Sequence, residues 1–71
     1  MSRRADPARI YEARRAGAVA RLASRDRLGD DRAEELVAAW ELEAELRGIP
    51  RGDERFWSDG AAWMAERVSA R

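Results

Sequence analysis

Residues 27–34 read Arg27-Leu28-Gly29-Asp30-Asp31-Arg32-Ala33-Glu34, the order in which one helix stops and another starts. Glycine accepts the left-handed conformation in which helices commonly end. Acids then crowd where the positive end of a new helix dipole favours them, and Asp31 with Glu34 has the spacing of a capping box. A second boundary stands at Gly48-Ile49-Pro50, where glycine ends a helix and the residue before proline is steered away from helical dihedrals. Working outward, Asp6-Pro7 reads as a start: a carboxylate to cap free amides, then a residue that loses nothing at the first helical position. Asp53 caps a third segment in the same way. The chain is therefore predicted to be all-α, a small three-helix bundle with helices at about 7–25, 31–47 and 54–68. The first two are expected to form an antiparallel hairpin. The 71 residues make one helical domain, too short to divide, with residues 1–5 expected to be disordered.

Ser58-Asp59-Gly60 could interrupt the third helix, but phase argues for continuity. At about 100° per residue Phe56, Gly60 and Trp63 fall together, with Trp57, Ala61, Met64 and Val68 beside them. A turn at Gly60 would scatter that arc. Glycine inside a helix costs about 1 kcal/mol relative to alanine, so Gly60 is expected to admit a close neighbour.

Composition excludes most chemistry. All 14 cations are arginine, 14 acids balance them, and Lys, His, Cys, Asn, Gln and Thr are absent. No disulfide or thiolate site is possible without cysteine, and without His or Cys zinc and most transition-metal sites are excluded. The serines Ser2, Ser24, Ser58 and Ser69 have no His or Lys to act as base. The expectation is a protein that is not an enzyme and uses no cofactor, metal or small-molecule substrate. No apolar run has the length of a signal-peptide core or a membrane span, so a cytoplasmic protein without a membrane partner is expected.

The same phase arithmetic sorts the first two helices. In the first, Ile10, Ala13, Gly17 and Ala20 fall together, with Ala16 and Ala23 alongside, a face of very small side chains. In the second, Ala33, Val37, Trp40 and Ala44 form the inward stripe with Leu36 at its edge. Trp40, Phe56 and Trp63 are then expected to cover the Gly17/Ala20 surface, large residues on two helices against small ones on the other.

Neutrality conceals a divided chain. Residues 1–27 hold eight Arg against three acids, a net of 8 − 3 = +5, and residues 28–71 hold six against eleven, a net of 6 − 11 = −5. Two readings compete. Arg14, Arg21 and Arg25 share the spacing of Glu34, Glu41 and Glu45, and in an antiparallel hairpin Arg25 would oppose Glu34, Arg14 would oppose Glu45 and Arg21 would lie near Glu41. Alternatively the basic first helix binds nucleic acid, with Arg14, Arg21 and Arg25 lining one face and Arg3 and Arg4 as an arm; if that stripe pairs internally, Arg3, Arg4, Arg9 and Arg15 remain for the same role. The absence of a basic excess over the whole chain argues against strong non-specific binding.

Other clusters have simpler explanations. Asp30, Asp31, Glu34 and Glu35 lack the spacing of a calcium loop and suit a helix N-terminus. Arg51-Gly52-Asp53 spells an adhesion tripeptide, but Asp53 is well placed as a cap. Phe56, Trp57 and Trp63 could stack bases, yet their helical spacing reads first as core.

One feature stays unexplained by a small bundle. Ala39, Leu42, Leu46 and Ile49 lie on the side of the second helix opposite Val37 and Trp40, and Tyr11, Ala18 and Leu22 repeat the oddity on the first. A third helix crossing at a wide angle could cover both faces. Otherwise Ala39, Leu42, Leu46 and Ile49 form a surface for another chain, either a protein partner or a second copy in a homo-oligomer. A non-enzymatic helical protein–protein interaction module, such as a small regulator, adaptor or inhibitor, is the leading expectation, with small nucleic-acid-binding protein as the alternative.

Overall fold

A computed structural model describes residues 6–70 as three helices, α1 (Pro7–Ser24), α2 (Asp30–Arg47) and α3 (Arg55–Ser69). The expectation of disorder for residues 1–5 lies outside the described residues. α1 starts as expected, with the Ala8 amide donating to the Asp6 carboxylate at 3.0 Å and proline at the first turn. α3 is continuous through Gly60, and the Arg55 amide donates to Asp53 at 2.8 Å. α2 ends in a Schellman turn at Gly48, whose φ of 73° is left-handed. There Ile49 N–H donates to Ala44 O at 2.9 Å and Gly48 N–H to Glu45 O at 3.1 Å, so the last carbonyls of the helix are satisfied.

The boundary at residues 25–29 is built differently from the expectation. The left-handed residue after α1 is Arg27, with φ of 59°, and Gly29 instead precedes the first turn of α2. The capping box between Asp31 and Glu34 does not form, because α2 begins at Asp30 and its cap is Gly29, without a side-chain hydrogen bond. Asp30 and Asp31 still lie in the first turn, where the dipole favours them.

α2 is the hub. Ala33, Val37, Trp40 and Ala44 are completely buried, and α1 and α3 both pack on that stripe. Phe56, Gly60 and Met64 form the buried face of α3. Trp40 lies over Gly60 so closely that a Cβ there would stand 2.7 Å from Cε2 and 2.8 Å from Cδ1 of the indole. Real Cβ atoms do not approach so near, and Gly60 therefore has the close neighbour that its cost implied.

α1 is turned relative to the expectation. Its one buried residue is Leu22, and Tyr11, Ala18 and Val19 pack beside it against the core. Ile10, Ala13, Gly17 and Ala20 are exposed, and a Cβ at Gly17 would meet nothing within 4 Å. The expected cover of the Gly17/Ala20 surface by Trp40, Phe56 and Trp63 is thus corrected. The reason is area. Hydrophobic gain follows apolar surface removed from water, about 25 cal/mol per Å2, and a leucine with a tyrosine outweighs a strip of alanine and glycine.

The two helical glycines should respond in opposite directions. Gly60→Ala forces the Trp40 ring to move and should lower stability by about 1–3 kcal/mol. Gly17→Ala fills open space in a helix and should raise it by about 0.5–1 kcal/mol. Urea midpoints of the two variants check this, and equal shifts would contradict the packing described.

Candidate interaction surfaces

The seam between α1 and α2 is polar at one end. Tyr11 Oη donates to Glu41 Oε2, while Arg15 Nε donates to Glu41 at 3.1 Å and Arg15 Nη1 to Glu34 at 2.9 Å. Arg15 lies four residues after Tyr11 and reaches back to Glu34, the order of an antiparallel pair. These bonds replace the expected Arg25–Glu34, Arg14–Glu45 and Arg21–Glu41 pairs. Turning Tyr11 and Leu22 inward carries Arg15, rather than Arg14, into reach of the acids. Above the seam Arg51 lies 4.9 Å from the Tyr11 ring centre, which helps to hold the α2–α3 loop against α1.

Burial would push the Glu41 carboxyl up, but hydrogen bonds from Arg15 and Tyr11 and the charges of Arg15 and Arg51 outweigh it and hold the group below its ordinary value. Burial first, then the hydrogen bond to Glu41, push the Tyr11 phenol above its ordinary range. The hydrogen bond to Glu41 is also the largest cause of the raised Arg15 value. Glu41 stays anionic, Tyr11 neutral and Arg15 cationic near neutrality, so the cluster acts as a clasp.

The four expected partner-binding residues separate. Ala39, Leu42 and Leu46 are exposed on the outward side of α2, the two leucines at 66% and 84%. Ile49 is half-buried, folded back by the Schellman turn to pack against the core. The four arginines of the nucleic-acid alternative are scattered too. Arg15 is committed to Glu34 and Glu41, Arg9 is exposed, and Arg3 and Arg4 lie outside the described residues.

What the sequence reading missed is a groove between α1 and α3, with a volume of about 620 Å3. Arg14, Arg21 and Arg25 stand along its α1 side and Trp57 and Met64 along its α3 side. Among the described residues none of these arginines forms an ion pair. The signal is present in the sequence as the i, i+7, i+11 spacing of the arginines, a spacing that internal pairing would explain equally well.

The other candidates are absorbed by the fold. Asp53 serves as a cap, and Phe56, Trp57 and Trp63 belong to an aromatic cluster with Tyr11 and Trp40. Arg67 covers the Trp63 ring at 3.7 Å. Among the described residues no three acidic side chains gather where they could hold a metal ion, and no helix is long and apolar enough to cross a membrane. No protein-family model matches the chain, and no curated protein or solved structure matches it.

Because the folded Glu41 carboxyl lies below its unfolded value, its contribution is fully present above the ordinary range near 4.5 and fades as pH falls through the folded value. Glu41→Gln should lower stability at neutral pH by about 1 kcal/mol and flatten the loss of stability on acidification. Urea denaturation across the acid range measures both, and an unchanged acid limb would show that the clasp contributes nothing.

Proposed function

We propose that this chain is a non-enzymatic helical interaction module that works by contact and self-associates, with Ala39, Leu42 and Leu46 as its contact ridge. The observation that carries the reading is the exposure of Leu42 and Leu46 on the side of α2 turned away from both other helices. The inward stripe of α2 is already filled by Ala33, Val37, Trp40 and Ala44, so the bundle has no place for these leucines. Two leucines a turn apart on one exposed helix face, flanked by alanine, make a ridge of the kind that other helices cover. Small bundles of this size gain from such cover, because their cores alone supply only about 3–5 kcal/mol. The absence of His, Cys and Lys supports a role without chemistry of its own, and the cytoplasm is the setting proposed for it. Regulators, adaptors and inhibitors all act in this way.

Leu42→Glu combined with Leu46→Glu should leave the helical circular dichroism unchanged and weaken self-association by roughly a hundredfold or more, since each buried leucine contributes about 1.5–3 kcal/mol. Sedimentation velocity over a concentration series is the readout. Identical profiles for the wild-type chain and the double variant would refute the module.

A further inference from the structure

The groove between α1 and α3 is left open by the bundle. The buried Leu22 and Met64 line it together with the small residues Gly17, Ala18, Ala61 and Ala65, and the empty space over Gly17 lets another backbone come close. Arg14, Arg21 and Arg25 are exposed along one edge, and Asp26 is the single acid among the lining residues. From Arg14 to Arg25 this edge runs about 16 Å at 1.5 Å per residue. It therefore suits an apolar helical ridge about three turns long that carries acids.

The outward face of α2 has that chemistry. Asp31, Glu35 and Glu45 are exposed there beside Ala38, Ala39, Leu42 and Leu46, and among the described residues none of the three acids is in an ion pair. Asp31 and Glu35 are four residues apart, as are Arg21 and Arg25. Laid antiparallel to α1, one register places Asp31 by Arg25, Glu35 by Arg21, Ala38 and Ala39 over Ala18 and Gly17, Leu42 along the aliphatic stem of Arg14, and Leu46 by Ile10 just beyond the groove. Ile10 is itself 44% exposed. Every residue in that register lies within an arc of about 100° on its own helix, so the whole match is available at once.

Resting on the self-associating module proposed above, we infer that the α1–α3 groove is the receptor for the α2 ridge of a second copy. Ridge against ridge is the poorer arrangement, because it gathers Asp31, Glu35 and Glu45 of both copies into one seam. No residue of α2 lines the groove, so groove and ridge occupy different sides of the molecule. The contact is then heterologous, each copy offering a ridge to one neighbour and a groove to another, and assembly continues until a ring closes or a filament grows.

A complementation experiment tests this. The ridge variant is Leu42→Glu with Leu46→Glu, and the groove variant is Arg14→Glu with Arg21→Glu. Ala61→Trp, which blocks the groove by bulk without changing charge, stands in if the charge reversal disturbs the fold. Circular dichroism confirms helicity before sedimentation. The expected result is that the wild-type chain forms species larger than two copies, each variant alone sediments as one copy, and a one-to-one mixture forms a complex of two copies that grows no further. A groove variant that assembles like the wild-type chain overturns the groove as receptor and leaves the ridge reading intact. A mixture that stays as single copies also overturns it, and duplex DNA bound by the wild-type chain but not by the groove variant would then assign the arginines to phosphate. A wild-type chain that remains one copy at every concentration overturns both readings.

Discussion

The indole of Trp40 lying on the bare backbone of Gly60 is the contact on which the rest of the structure depends. It sets how closely α3 approaches α2, and it places the largest side chain of α2 wholly inside. The fit has a cost. Trp40 Nε1 is buried without a hydrogen-bond acceptor, and a buried donor left unpaired costs about 1–3 kcal/mol. Ring packing offsets part of that, since Trp40 meets Phe56 at 5.6 Å and Trp63 at 5.7 Å between centres, contacts worth about 0.5–1.5 kcal/mol each beyond their area.

From that contact the orientation of α1 follows. With Trp40 and Phe56 committed to each other, what α1 can add to the core is Leu22 and the edge of Tyr11, which meets Phe56 at 5.6 Å and Trp57 at 5.4 Å. Turning those residues inward delivers Arg15 to Glu41 and Glu34 and leaves Arg14, Arg21 and Arg25 along the open groove. One rotation of a helix thus decides which arginines are spent within the molecule and which stay exposed. The same economy explains α2. Its inward stripe is saturated, so Leu42 and Leu46 face outward.

The fold could be read closely from local signals. Asp6, Gly48 and Asp53 act at the boundaries that their chemistry indicates, and the phase of Phe56, Gly60 and Trp63 carried α3 through a glycine. The inward stripe of α2 was also legible, because one tryptophan and one valine at helical spacing leave little ambiguity. The face of α1 was not, since its apolar residues surround the helix and phase alone cannot weigh a strip of alanines against one leucine and one tyrosine. Charge register failed with it, because turning the helix by about 140° moves every arginine to another neighbour. Ile49 was placed by a turn motif rather than by the helix, which is why helical phase assigned it to the outward ridge.

The dependence of the bundle on the Trp40–Gly60 contact is tested most directly by a double-mutant cycle in urea, combining Gly60→Ala with Trp40→Phe. A smaller ring at residue 40 makes room for the methyl group at residue 60, so Gly60→Ala should cost far less when Trp40→Phe is already in place. A favourable coupling of about 1 kcal/mol or more is expected. Costs that simply add, within about 0.5 kcal/mol, would mean that the indole does not rest on the glycine and that the bundle is organised by some other contact.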